Sequence, residues 1–350
     1  MTGARADLVD VPTLLASPDV WDRALAEIGG QMLQSARWGE LKSRHGWGAE
    51  RVAVRHDAGL GMAQVLFKQK GPVSIGYVPR GPAFSQPSPG LANALFAEVD
   101  RVCRARRAIS VIVEPDVPLP YQGSYKAHRF VRADFRIQPG RTVKVPLLAD
   151  DPLLAQMHHK HRYNARLATR RGASTEVVAS TDENIDAFHA MMADTSGRNL
   201  FGIHGKDYYA DFLRLFGSNA ALLFARVDGA LAAGLVVARF GAEGFYMYGA
   251  SSTRNRAHGA ATLLQVDAMR WCRDRGCETY DLWGIPDEDP VSTATEEGDR
   301  VAATRGNDLR GLYEFKTRFG GSIVTYPPAV ERRYVPVLAA LARRVYRPTG

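Results

Sequence analysis

The sequence predicts a mixed α/β (α+β) protein built from two tandem, similar domains, and three observations point there. Its 350 residues, 45% of them hydrophobic, exceed what one core usually organises. The order strand, strand, strand, helix, strand can be read twice along the chain. The offset between Asp57 and Asp228 equals that between Tyr77 and Tyr248, 171 residues. Coincidence of order and offset in two unrelated halves is the alternative to a duplicated unit.

In the first half, β-type runs at 51–55 and 62–68 flank a His56-Asp57-Ala58-Gly59 turn, and a third run follows at 73–78. After the proline-rich loop 79–89, Leu91, Leu95, Val99 and Val102 follow a helical period. A buried-strand run, 109–113, then ends at Glu114-Pro115-Asp116. The second half repeats this with runs at 221–227 and 230–240 around Asp228-Gly229, a run at 244–248, a helix over 258–275 and a strand at 279–283. That helix places Leu264, Ala268, Trp271 and Cys272 on one stripe.

Between the halves, 151–172 reads as one helix carrying Arg162, Arg166 and Arg170 on a stripe, and Ser180-Thr181-Asp182-Glu183 reads as a capping box. The acidic stretch 287–308 has no periodicity and is expected to be a mobile loop, while 334–346 is a basic amphipathic helix. No heptads are sustained, so no coiled-coil arm is expected. Domain boundaries are expected at 1–147 and 148–328, with a C-terminal helix of about 329–350 packing back on the first domain.

Composition removes several classes. With 23% charged residues, 33 Gly and 19 Pro, the chain is an ordinary globular one. Cys103, Cys272 and Cys277 form no Cys-x-x-Cys, which argues against a disulfide framework or a zinc ribbon and for a reducing compartment. The longest apolar stretch, 220–240, is interrupted by Arg226, Asp228 and Gly229, so it is a hairpin and not a bilayer span. The first residues lack a signal-peptide pattern, and a cytoplasmic location is expected. A net charge of +8 favours phosphate-rich partners such as RNA, nucleotides or an anionic membrane face.

Hydrolase, zinc-protease, P-loop and complete dinucleotide signatures are all absent. His158, His159 and His161 suggest no metal, because Lys160, Arg162, Arg166, Arg170 and Arg171 surround them with like charge. Those same cations, on one helix, can hold RNA phosphates; a solvated interdomain helix is the alternative. Arg256, Gly259 and Ala261 fit the R-x-x-G-x-A pyrophosphate loop of acetyl-coenzyme A-dependent GNAT acyltransferases, where helix N-terminal amides meet an anion. A glycine-containing helix start is the alternative.

Six blocks in order complete the pattern: Gln34-Ser35-Ala36-Arg37-Trp38-Gly39-Glu40-Leu41-Lys42, Tyr77-Val78-Pro79-Arg80-Gly81-Pro82, Lys160-His161-Arg162-Tyr163-Asn164-Ala165-Arg166-Leu167-Ala168, Tyr246-Met247-Tyr248-Gly249-Ala250-Ser251, Tyr280-Asp281-Leu282-Trp283-Gly284-Ile285, and Gly311-Leu312-Tyr313-Glu314-Phe315-Lys316-Thr317-Arg318-Phe319-Gly320-Gly321. Over most of its length the chain resembles the Fem family of peptidoglycan-bridge aminoacyltransferases, tRNA-dependent enzymes with two GNAT-like domains.

The resemblance implies a donor, aminoacyl-tRNA, and an acceptor, a muramyl pentapeptide on a uridine diphosphate or lipid carrier, with peripheral contact at the inner membrane face. No cofactor, metal or DNA is implied. It further implies that Lys42 binds acceptor phosphates and that Tyr208 and Tyr248 contact its pyrophosphate or peptide portion. His204 stands where the family often has Arg. Lys160, Arg162, Arg166 and Arg170 would hold tRNA, and Arg256 would contact substrate. Phe315-Lys316 matches the family's catalytic Phe-Lys pair, and a positioned ammonium can stabilise the oxyanion formed when an amine attacks an ester. An exposed strand lysine balancing Glu314 is the alternative for Lys316. Glu114 occupies a strand-end acidic position and is a candidate base, against an ordinary structural carboxylate. Three competing functions are aminoacyl transfer to a secondary-metabolite peptide, acetyl-coenzyme A-dependent N-acyl transfer, and non-catalytic RNA or membrane-surface binding.

Overall fold

Residues 11–44 form three helices, α1 (Val11–Ala16), α2 (Pro18–Glu27) and α3 (Ala36–Arg44), each opened by a side-chain cap: Asp10 accepts from the Thr13 amide, Ser17 from Val20 and Ser35 from Trp38. They begin a computed structural model that describes residues 9–117, 122–199, 202–252, 259–289 and 309–345. The chain divides into two units, residues 1–138 with 326–350, and residues 139–325.

In the first unit β1 (Gly48–His56), β2 (Gly59–Lys70) and β3 (Val73–Pro79) make an antiparallel meander, with short β4 (Ala83–Phe84) beside β2. Helix α4 (Pro89–Ala105) then crosses over, and β5 (Ala108–Glu114) returns parallel to β3. α5 (Gln122–Ala127) and β6 (Val131–Arg132) follow. The apolar faces of β1, β2, β3, β5 and α4 bury Val52, Val65, Phe67, Val78, Phe96, Val99, Val111 and Val113. Each contributes about 1.5–3 kcal/mol by leaving water.

The second unit runs β7 (Arg141–Pro146), α6 (Asp150–Ala155), α7 (His159–Arg170), β8 (Ala173–Val178), α8 (Asp182–Asn199), α9 (Lys206–Phe216), β9 (Ala220–Val227), β10 (Ala230–Phe240), β11 (Glu243–Ser251), α10 (Ala260–Arg273), β12 (Thr279–Ile285), α11 (Leu309–Thr317) and β13 (Ser322–Thr325). Its sheet order is β13-β7-β12-β11-β10-β9-β8. The meander β9-β10-β11, the crossover α10 and the parallel return of β12 against β11 repeat β1-β2-β3-α4-β5. Asp57 and Asp228 both adopt positive φ, 52° and 51°, at equivalent turns.

After the second unit, β14 (Val330–Arg333) joins the first sheet against β5, giving the order β1-β2-β3-β5-β14-β6, and α12 (Pro336–Val345) follows. The division falls at 138 instead of 147 because β7 hydrogen-bonds to β12 and β13 in the second sheet.

Two local expectations need correcting. The single helix over 151–172 is two, α6 and α7, because His158 starts a new one: its ring accepts from the Lys160 amide while its own amide donates to the Arg318 carbonyl. Thr181, not Ser180, caps α8, accepting from the Asn184 amide. From 290 onward the acidic stretch 287–308 lies outside the described residues, as do 253–258 before α10. No described helix is long and apolar enough to cross a membrane.

Candidate active site

Lys316 lies in the last turn of α11 and is only 6% exposed. It is therefore a buried helix residue and not the exposed strand lysine of the alternative reading. Nor does it balance Glu314, whose carboxylate pairs with Arg310 and Arg318 one turn to either side. The Lys316 ammonium donates to the Gly284 carbonyl at 2.7 Å and lies 5.7 Å from the centroid of the Tyr246 ring. Burial pushes its pKa down to about 8, against the opposing pull of the Asp281 charge.

The strand beneath it is distorted. The register of β12 against β7 shifts between Asp281 and Gly284, and Trp283 has φ 63°. That left-handed conformation costs a residue other than glycine about 1–2 kcal/mol. It is held by Asp281, whose Oδ1 accepts the Trp283 amide at 2.6 Å and also the Thr142 hydroxyl. Gly284 leaves no room for a side chain, since a Cβ there would lie 2.3 Å from Pro139 Cγ.

Phe315 is fixed from behind by α7. His161 is buried, its Nε2 lies 2.9 Å from the Phe315 carbonyl, and its ring packs on Phe315 and Phe319 with centroids at 5.4 and 4.5 Å. Burial lowers its pKa to about 4, so the ring is neutral at pH 7 and Nε2 carries the proton toward the carbonyl. The Gly320-Gly321 pair follows the end of α11: both have positive φ, and a Cβ on Gly321 would sit 2.2 Å from the Lys144 carbonyl oxygen.

Tyr208 from α9, Tyr248 from β11 and His204 come together as a second group. The His204 ring stacks on Tyr208 with centroids 3.7 Å apart and meets Tyr248 edge-on at 5.9 Å, and the two phenol oxygens are 3.5 Å apart. Burial raises both phenol pKa values, so both hydroxyls keep their protons. A bulge in β11 decides where these rings go: Val236 pairs with Tyr248 but Val237 with Tyr246, leaving Met247 extra. Tyr246 and Tyr248 consequently point to opposite faces of the sheet, Tyr246 toward Lys316 and Tyr248 toward Tyr208, Tyr209 and Phe212. The Tyr208 cluster and the Phe315-Lys316 pair are thus two groups, not one.

The arginine stripe of α7 also divides. Lys160, Arg166 and Arg170 are exposed, Arg170 lying 5.9 Å from the Tyr163 ring. Arg162 instead donates to the carbonyls of Ala155 and Met157 at 2.8 and 2.6 Å, closing the end of α6. Arg256 lies outside the described residues. Gly259, at φ 71°, packs so closely on α7 that a Cβ would be 2.5 Å from the Asn164 carbonyl oxygen.

Lys42 and Glu114 belong to the first unit. The buried Gln34 amide donates to the Pro79 carbonyl at 2.7 Å and accepts from the Gln64 amide at 2.8 Å, tying the start of α3 to β2 and β3. Gly39 lets the Gln64 side chain lie against α3, where a Cβ would be 2.2 Å from its Oε1. One turn later the Lys42 ammonium sits 4.7 Å from the Trp38 ring, its pKa lowered to about 8 by burial and then by Lys68. Glu114, by contrast, is fully engaged: it accepts from the Tyr77 hydroxyl at 2.5 Å and from the Ile137 and Gln138 amides. A carboxylate with those three donors is a structural anchor, not a base open to substrate.

Residues 26–129 match the FemAB family and residues 155–289 match an acetyltransferase (GNAT) domain. Lipid II:glycine glycyltransferase of Staphylococcus aureus is 25% identical over 77% of this chain and 83% of its own length. The crystal structure of FemX, 22% identical, superposes with a TM-score of 0.77 over 89% of this chain and 94% of that one. The chain is similar to the Fem family, through the family model over residues 26–129 and through a relative that is 25% identical over 77% of the chain. It is an acyltransferase of twin GNAT-like architecture. The C-terminal domain of a putative lysylphosphatidylglycerol synthetase from Agrobacterium fabrum shares the fold at a TM-score of 0.53 and 17% identity, covering 89% of this chain and 92% of that one.

Three residues to which the sequence blocks assign no role, Asp281, Tyr246 and His161, lie around Phe315-Lys316 and the strand that faces it. Asp281 had a signal, an acid inside the otherwise apolar run Tyr280-Asp281-Leu282. His161 had one as well, a histidine at a buried position of a basic helix, but the cations around it drew the reading toward RNA.

Proposed function

We propose that this protein is an aminoacyltransferase that moves an amino acid from aminoacyl-tRNA to an amine on the stem peptide of a peptidoglycan precursor, the step that builds an interpeptide bridge. The acceptor amine attacks the ester carbonyl of the charged tRNA. A C–N bond forms, the C–O bond to the terminal ribose breaks, and the ribose hydroxyl leaves with a proton. Negative charge gathers on the carbonyl oxygen in between, and Lys316 is the group we assign to face it.

One observation carries this reading: the Lys316 ammonium is buried and oriented, with Gly284 accepting one of its three donors. A charge held in place before reaction needs no reorganisation when the oxyanion forms. The likeness to a lipid II:glycine glycyltransferase supports a lipid-linked muramyl pentapeptide as acceptor. In this reading Lys42, with its ammonium at a Trp38 face, and the Tyr208, Tyr248 and His204 group bind the acceptor, while Lys160, Arg166 and Arg170 offer exposed cations to tRNA.

The test supplies purified protein with several charged tRNAs and with lipid-linked and nucleotide-linked muramyl pentapeptide, and reads product mass. A gain of one aminoacyl residue is expected, and Lys316→Ala should lower the rate by about 10²–10³ while acceptor binding is kept. Undiminished transfer by Lys316→Ala would remove this lysine from the mechanism. Calorimetry with coenzyme A addresses the competing donor: tight binding lost in Arg256→Ala would favour acetyl transfer.

A further inference from the structure

Four features of β12 converge on Asp281. It is 1% exposed in the middle of a strand; it takes the Trp283 amide at 2.6 Å and the Thr142 hydroxyl; the residue whose amide it holds is a tryptophan at φ 63°; and the next residue, Gly284, supplies the carbonyl bonded to Lys316 at 2.7 Å. A regular strand would alternate its carbonyls between its two neighbours. The register shift between Asp281 and Gly284 breaks that alternation, and the Gly284 carbonyl is spent on the lysine.

We propose that Asp281 is a positioning residue for Lys316: by holding Trp283 in the left-handed turn it aims the Gly284 carbonyl at the ammonium, and its own negative charge compensates that ammonium in the buried site. This rests on the reading of Lys316 given above. The inference concerns how the lysine is held and kept charged, and it can be measured without turnover.

The groups around Lys316 support the assignment to Asp281. Tyr246 of β11 presents its ring, and its phenol pKa is raised by burial to about 12. His161 of α7 is neutral and engaged with the Phe315 carbonyl. On α11 itself, Glu314 is neutralised between Arg310 and Arg318. Asp281 is the charge that opposes the burial of Lys316.

Asp281→Asn keeps an oxygen for the Trp283 amide and removes the charge. The Lys316 titration midpoint, read by ¹³Cε NMR of labelled lysines in the full chain and assigned by its loss in Lys316→Arg, should fall by about one unit from wild type. The alkaline limb of kcat/KM should move to lower pH by the same amount, since the protonated lysine is the working form. Asp281→Ser, whose hydroxyl can still accept the turn amide, should show the same shift and covers the case in which the asparagine variant does not fold. A midpoint unmoved in a folded Asp281→Asn or Asp281→Ser protein overturns the proposal. A moved midpoint with an unmoved rate profile upholds it and instead removes Lys316 from the reaction.

Discussion

The imidazole of His161 donates through Nε2 to the carbonyl of Phe315 across 2.9 Å, capping the helix that carries Lys316. That carbonyl is in the last turn, and the Phe319 amide, which would complete an α-helical bond to it, turns to the Lys316 carbonyl instead. His161→Leu should therefore leave a buried acceptor unpaired and destabilise the protein by about 1–3 kcal/mol, while His161→Gln, which keeps a donor, recovers most of it. Burial holds the His161 pKa near 4 against an ordinary 6.5, so between those values the unfolded chain binds more protons than the folded one. Stability is then lost as pH falls through that window, by up to about 3 kcal/mol from this group. Thermal melts at pH 7 and 5 should show a smaller drop for His161→Gln than for wild type; equal drops would contradict the neutral, buried ring.

Arg162 and its neighbours on α7 should separate cleanly. Because Arg162 satisfies two carbonyls at the end of α6, Arg162→Met should lower stability by about 1–3 kcal/mol. Replacing the exposed Lys160, Arg166 and Arg170 by glutamate should leave the melting temperature unchanged and weaken RNA binding, with a shallower dependence on salt. Filter binding at several salt concentrations checks this, and a loss of RNA affinity confined to Arg162→Met would reverse the assignment.

The duplicated β-β-β-α-β order was legible because strands packed on one side and helices on a sheet impose periods of 2 and 3.6 on apolar residues. Both five-element units stand close to where their apolar patterns put them. The break at His158 was not legible, since the partner that draws its amide, Arg318, lies 160 residues away in the sequence. Nor was the Trp283 turn. Left-handed turns announce themselves through Gly or Asn, and here a tryptophan is held by a side chain two residues earlier. The site was legible as blocks of residue types, but the opposite facing of Tyr246 and Tyr248 depends on one bulge that no composition signals.

Gly284→Ala tests the strand that faces Lys316. An added methyl would lie 2.3 Å from Pro139 Cγ and 2.5 Å from its Cβ, and a proline ring has little freedom to move aside. Strand β12 must shift and carry the Gly284 carbonyl off the lysine, so kcat should fall by about tenfold or more with the acceptor KM little changed. Steady-state kinetics with saturating charged tRNA measure this; a KM effect alone would place Gly284 in acceptor binding instead.

Lys316 should be a residue that the fold would be more stable without. Its ammonium is held in a site where burial has lowered the pKa from 10.5 to about 8, which at pH 7 corresponds to about 3 kcal/mol of unfavourable burial relative to the unfolded chain. Lys316→Met fills similar space with no charge. It forfeits the bond to the Gly284 carbonyl, worth about 1 kcal/mol, and so should be more stable by about 1–2 kcal/mol while losing transfer activity. The sign of the pH dependence provides an independent check. Between pH 8 and 10.5 the folded wild type has released this proton and the unfolded chain has not, so wild-type stability rises with pH in that window and the advantage of Lys316→Met narrows. Denaturant titrations at pH 7 and 9.5 should show the gap closing. A methionine variant less stable than wild type at pH 7 would mean that the ammonium is better compensated in the fold than its lowered pKa implies.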